Sequence, residues 1–252
     1  MKRPVLLLYG IVSYAAFNIS FLYLAGFLLD VGVPKSINEG NVASLGIAAV
    51  TNFGLIFLFG FFHSLMARQW FKNWWTRFVP VEAERSTYVL QAAAFLSLLM
   101  GFWKPMPAEI WSVTGWSAVA VYLVFAIGLT ILLLSTFLID HFELFGLRQV
   151  WSAGRGSSMP SPRFRTPLLY KLVRHPMQLG VMLAFFATPH MTVGHLFFAV
   201  AMTGYVLIGL YFEERALVRE FGDNYRDYQA RVTMLLPNPL RLFSRAPSKH
   251  AA

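Results

Sequence analysis

The 252-residue chain has no cysteine, so disulfides, a thiol nucleophile and thiolate-ligated metals or clusters are all excluded. Charge is also scarce: only 13% of residues are Asp, Glu, Lys or Arg, with 12 acidic against 21 basic. That is too little polar surface to cover a soluble globule of this size. The six histidines lack the spacing and carboxylate partners of a zinc or iron site, so no metal is expected. Basic, aromatic-rich soluble modules are missing too, so the net charge of +9 points to anionic lipid headgroups and membrane topology rather than to nucleic acid.

What the chain does have is apolar length. Hydrophobic residues make up 57% and aromatics 16%. Windows of about 20 residues, enough to span a bilayer, run from Pro4 to Leu29, Ala43 to Met66, Ser86 to Trp103 and Trp116 to Ile139. A fifth apolar region, Met177–Phe212, is broken by Thr188, Pro189 and His190. Its first arm, Met177–Thr188, would rise only about 18 Å at 1.5 Å per residue, so it reads as the short half of a helical hairpin with Val193–Phe212 as the full return span. The first span has no short core followed by a small-residue cleavage site, and is read as a retained helix. The fold class is therefore an all-α integral membrane protein with about five transmembrane helices, a single domain over residues 1–236 and a flexible tail at 237–252.

Loop charge orients this arrangement. With the N-terminus inside, the inner segments hold two, four, six and seven basic residues in turn, 19 of the 21, leaving Lys35 and Lys104 outside. Such a bias predicts both termini in the cytoplasm, as in a bacterial inner-membrane protein. A long inner loop then covers 140–176. Within it Ser152–Pro167, rich in Ser, Gly, Pro and Arg, reads as a mobile loop able to close as a lid. Glu213–Val232 alternates charged and apolar residues at helical spacing, as expected of an amphipathic helix on the inner face, interrupted near Gly222. Trp70, Trp74 and Trp75 with Lys72 and Arg77 read as an interfacial belt, Lys104–Gly115 as an interfacial cap, and Ser86 as the N-cap of the third span.

The ionisable residues collect at the inner ends of these spans. Arg174 and His175 open the hairpin, and Glu213 and Glu214 close it. A hairpin brings opposite charges together, an arrangement suited to a charged small molecule. Tyr170, Tyr211 and Tyr228 add aromatic faces, and Tyr225 lies three residues from Tyr228 on the following helix. His63 lies one turn inside the membrane boundary, where an imidazole is costly unless paired. Arg68 and Arg85 fall at its level, and Asp140, His141 and Glu143 mark the point where the fourth span leaves the bilayer.

Arg174-His175-Pro176 with Gly180, Glu213-Glu214 with Leu217, Phe221-Gly222 with Tyr225 and Tyr228, then Val232 and Pro237, resemble the isoprenylcysteine carboxyl methyltransferase superfamily over the last third of the chain. His63-Ser64 with Ala67-Arg68, Glu84-Arg85-Ser86 and the run Asp140–Arg148 extend the resemblance to its NnrU-related, small-thiol branch, which includes methanethiol S-methyltransferase. The resemblance implies S-adenosylmethionine as methyl donor, bound on the inner side by Tyr170, Arg174, His175, Pro176, Gln178, Leu179, Gly180, Tyr211, Glu213, Glu214, Tyr225 and Tyr228. Gln178 departs from the Tyr often found there, which exchanges a stacking contact for an amide.

The acceptor implied is a small thiol, methanethiol, giving dimethyl sulfide. Thiolate attack on a sulfonium joins an anion to a cation, so a dry cavity favours it. The obstacle is the thiol proton. His63 is the first candidate for a base, Arg68 or Arg85 for stabilising the anion, and Asp140, His141 and Glu143 are second-line candidates. The competing readings are a prenylcysteine or other lipid-borne acceptor, a nicotinamide-dependent sterol-type reductase, and a transporter or assembly factor. The last is weakened because the charges gather at one face rather than at mid-membrane. Oligomeric state is not encoded legibly.

Overall fold

The structure is a computed structural model, and it describes residues 3–155 and 164–238. In chain order it comprises α1 (Arg3–Leu29), α2 (Leu45–Ala67), α3 (Gln69–Trp75), α4 (Val81–Phe102), β1 (Glu109–Ser112), α5 (Gly115–Ile139), α6 (His141–Leu144), α7 (Leu147–Arg155), a 3₁₀ turn at Leu168–Lys171, α8 (Pro176–Phe186), β2 (His190–Thr192), α9 (Val193–Phe221) and α10 (Asp223–Arg231). Among the described residues four helices, α1, α2, α5 and α9, are long and apolar enough to cross a membrane, and α8 is a shorter apolar helix. The protein is a helical membrane protein. The third predicted window forms a helix, α4, which is not among those four; it carries Glu82, Glu84 and Arg85 in its first two turns and packs between α1 and α2.

Small and hydroxylated residues let these helices approach, as expected where lipid removes the hydrophobic drive between them. On α1 the Ser20 hydroxyl lies 2.9 Å from that of Ser97 on α4, and the Tyr9 hydroxyl 2.9 Å from that of Thr87. The crossing of α5 and α8 is closer still. A Cβ on Gly180 would stand 2.5 Å from the Gly128 carbonyl oxygen, and one on Gly128 would stand 2.7 Å from that of Gly180. Only glycine fits at either position. The main apolar cluster sits toward the opposite end of the bundle from the charged residues, where Phe27, Trp103, Phe185 and Phe198 meet largely edge to face.

Several expectations are corrected. The helical class stands, with one addition that the sequence does not announce, a short two-stranded antiparallel sheet in which β1 pairs with β2. Its cause is the break between α8 and α9: Val113 N–H donates to Pro189 O at 2.9 Å and the Trp111 indole donates to Thr188 O at 3.1 Å, so the interruption is satisfied by protein. Lys104–Gly115 is therefore part of a closure at that end rather than only an interfacial cap, and Trp103 is fully buried. Ser86 is not an N-cap; α4 begins five residues earlier, behind Pro80, and Ser86 is buried beside Gly146. Ser152–Arg155 is the last part of α7 rather than loop. The centre of the expected lid, 156–163, and the tail from 239 lie outside the described residues. Finally, Glu213–Phe221 continues α9 without a break, and the separate helix starts only after Gly222, whose φ of 58° turns the chain.

Candidate active site

The two ends of the hairpin meet. Pro176 stands at the first position of α8, where its missing N–H costs nothing, so the helix starts directly after Arg174 and His175. The preceding residues are pinned by the segment that follows α10: Val173 pairs with Thr233, Arg174 N–H donates to Thr233 O at 2.9 Å and His175 N–H to Met234 O at 3.0 Å. Arg174 then forks onto Glu214, with Nε to Oε1 at 2.9 Å and Nη2 to Oε2 at 3.0 Å. His175 Nε2 lies 2.6 Å from the same Oε1, the Tyr225 hydroxyl donates to it at 2.7 Å, and Gln229 Nε2 donates to Oε2. One carboxylate thus joins α8, α9 and α10.

That convergence changes what each acid can do. Glu214 accepts from four side chains, and the remaining Arg174 amine donates to the Gln229 and Val232 carbonyls. Both residues are engaged within the protein: the guanidinium fork of Arg174, a geometry that would also suit a ligand carboxylate, is directed at Glu214. Glu213 is different. Its side chain is 47% exposed, with His175 Nδ1 4.0 Å away and Gln178 Nε2 3.4 Å away. It is the carboxylate with acceptor capacity to spare.

The tyrosines divide likewise. Tyr225 and Tyr228 are buried beside Phe164. Burial and the Glu214 carboxylate raise the Tyr225 phenol, and burial raises that of Tyr228 to about 12, so both are donors at neutral pH. Tyr228 donates to the Tyr170 carbonyl, and Tyr170 is itself buried, its hydroxyl 3.4 Å from Ser135 O. These rings are packed into the clasp. Tyr211 lies apart, 55% exposed, with the Arg215 guanidinium 4.9 Å over its ring. Gly180 serves the α5 crossing, and Leu179 lines an apolar groove of about 490 Å3 with Met182, Leu183 and Phe186.

A second cluster joins the ends of α2, α4 and α9. His63 Nε2 is 2.6 Å from the Tyr88 hydroxyl, and its ring stacks on Phe59 at 5.4 Å. Its Nδ1 is buried with no partner among the described residues. Arg85 lies over the Tyr88 ring at 5.0 Å while its Nε donates to Leu144 O at 2.7 Å. Arg68 stands 4.3 Å over the ring of Phe212, next to Glu213.

The second-line candidates fall elsewhere. His141 is buried between the Tyr14 and Thr136 hydroxyls, each at 2.8 Å, and stacked on Phe137. Asp140 caps α6 through Glu143 N–H and, with Glu143, faces Arg148. Every one of these groups has a structural partner. Sequence reasoning missed Tyr88 and Gln229. The signal for Tyr88 was its position one turn beyond Glu84-Arg85, at the depth of His63; Gln229 follows Tyr225 by one turn.

No family model matches the chain, and no solved structure matches it. Named proteins do. The chain is 52% identical to methanethiol S-methyltransferase 2 of Bradyrhizobium diazoefficiens over 96% of its own length and 93% of that protein's. It is 51% identical to the methanethiol S-methyltransferase of Mycobacterium tuberculosis, over 96% and 99%. More distantly, it is 33% identical to nurim of Xenopus laevis over 77% of this chain and 71% of that protein. With relatives at this identity aligned over nearly their whole length, the chain belongs to the methanethiol S-methyltransferase family.

Proposed function

We propose that the protein methylates methanethiol to dimethyl sulfide, using S-adenosylmethionine, from within a bacterial inner membrane and with both termini in the cytoplasm. The observation that carries the reading is the clasp at the mouth of the α8–α9 hairpin, where a half-exposed carboxylate, Glu213, sits beside a fully engaged Arg174–His175–Glu214 network. The basic bias of one face supports the orientation, with α4 and the α8–α9 hairpin completing about five crossings.

The donor set fits such a cofactor, with roles redistributed. Glu213 and Gln178 are the side chains free to meet an ammonium or ribose hydroxyls. The first turn of α8, whose leading N–H groups have no partner within the helix, suits a carboxylate. Arg174 and Glu214 hold the walls rather than the ligand. When bound, the cofactor supplies an electrophilic methyl on a positively charged sulfur.

The remaining chemistry belongs to the chain. His63 faces the acceptor sulfur, with Arg68 and Arg85 providing positive potential for a thiolate, and the surrounding Phe59, Tyr88 and Tyr205 rings exclude water. Charge vanishes as thiolate and sulfonium combine, so desolvation by these rings favours the step. Asp140, His141 and Glu143 keep the α5–α7 corner in place. Membranes given methanethiol and labelled donor should release labelled dimethyl sulfide into the headspace, and a prenylcysteine acceptor should give nothing. Methylation of the prenylcysteine with no dimethyl sulfide would overturn the reading, and so would full activity in both His175→Ala and Glu214→Ala.

A further inference from the structure

We propose that His63 holds the acceptor sulfur as a hydrogen-bond donor through Nδ1–H, in a tautomer fixed by Tyr88, and does not act as the base; this rests on the methyltransferase reading above. The grounds are a count of partners. The Tyr88 hydroxyl meets His63 Nε2 at 2.6 Å and no other acceptor among the described residues, while His63 Nδ1 is buried and unpaired. If the phenol donates, the imidazole proton resides on Nδ1 and one buried group lacks a partner. If the imidazole donates instead, both the phenolic hydrogen and the Nδ1 lone pair are stranded. Buried polar groups are paired wherever the structure allows, so the first arrangement is favoured.

Arg85 acts in the same direction. Its guanidinium lies 5.0 Å over the Tyr88 ring, drawing electron density from the phenol and making it a better donor and a poorer acceptor. With Nε2 occupied by that donor, the ring has no free lone pair for a thiol proton. What it offers is a single N–H in an apolar pocket, ordered by the Phe59 stack. A thiolate sulfur is the acceptor that completes it.

The step then balances without a protein base. The S–H proton of methanethiol passes to water as the thiolate enters. The sulfur lone pair forms the new bond to the methyl carbon, and the bond from that carbon to the sulfonium breaks with its electron pair returning to the sulfonium sulfur. His63 is thus a catalytic residue that keeps its proton throughout, and Tyr88 is a positioning residue.

Asparagine can present an amide N–H close to where Nδ1 stands but cannot titrate, which separates the two roles. His63→Asn should keep thiol kcat/KM within about tenfold of wild type, whereas His63→Ala should lose about 100-fold, the scale for removing one donor from a developing or resident anion. Both should bind labelled S-adenosylmethionine as wild type does, and the acidic limb of the pH profile, set by the thiol, should be unchanged in His63→Asn. Tyr88→Phe should lower thiol kcat/KM about tenfold and release the ring tautomer. Nitrogen-15 spectra of histidine-labelled protein, with the His63 signal assigned by its loss in His63→Asn, should show the proton on Nδ1 in wild type and a shift toward Nε2–H in Tyr88→Phe. A His63→Asn enzyme as inactive as His63→Ala with donor binding intact, or a wild-type proton on Nε2, overturns the proposal. Should wild type form no dimethyl sulfide, the methyltransferase reading fails, and the spectrum alone decides the ring assignment.

Discussion

Replacing Glu214 by Gln keeps the side chain's shape and removes its charge, and the structure specifies what this does. Oε1 accepts from Arg174, His175 and Tyr225, and Oε2 from Arg174 and Gln229. An amide must present N–H₂ to one of these two sets, setting donor against donor, and it leaves a largely buried guanidinium uncompensated. Breaking a buried pair by changing one partner costs about 3–5 kcal/mol, and each lost charge-assisted bond about 1.5–3 kcal/mol. Side chains that are 11% and 12% exposed place the pair toward the buried end of that range. The loss should be local, because Glu214 is the tie between α9 and the segment Asp223–Met234. Expected outcomes are a lower unfolding temperature by tryptophan fluorescence in detergent, and faster amide exchange in α10 and Val232–Met234 with α1 and α4 unchanged. The double variant Arg174→Met with Glu214→Leu should be less destabilised than the sum of its single changes, since neither charge is left stranded. Additive losses, or unchanged exchange in α10, would refute the clasp.

Glu213→Gln should behave in the opposite way: unfolding temperature close to wild type, because its contacts are weak and it is half exposed, but affinity for labelled S-adenosylmethionine reduced about 10- to 100-fold by loss of a charge-assisted contact. Gly180→Ala should destabilise by about 1–3 kcal/mol or more, since its Cβ would lie 2.5 Å from backbone oxygen on α5; thermal unfolding reads this, and a neutral change would show that α5 and α8 are not so close. Burial lowers the pKa of His141, so the fold favours its neutral form. Its stabilising contribution is complete above the unfolded value of about 6.5 and is lost as pH falls below it, by at most about 1.4 kcal/mol per pH unit. Comparing unfolding temperatures of wild type and His141→Gln between pH 7.5 and 5 isolates that share, and parallel curves would count against it.

The helices were legible because apolar length and proline carry their own punctuation: Pro176 and Pro189 bound α8 just as the sequence suggests. The meeting of Arg174 and Glu214 was legible too, since a hairpin leaves its ends little choice. Three things were not. The Lys104–Gly115 segment shows no strand alternation, and β1 exists only because the break before α9 frees backbone groups to pair. Arg174's partner was ambiguous, because a carboxylate of the protein and one of a ligand ask the same of a guanidinium. The difference between adjacent Glu213 and Glu214 depends on which way each turns on α9, and spacing alone does not say how far α10 folds back to claim one of them.

The residues that grip Arg174 and His175 come from positions 214, 229 and 232–234, near the end of the described chain. During synthesis, therefore, the early helices emerge and can enter the bilayer while the charged mouth still lacks its closing half. A nonsense codon or proteolytic cut just before Tyr225 would leave every long apolar helix in place and yet remove all of these ties except Glu214, so abundance in the membrane is no measure of how many copies are finished.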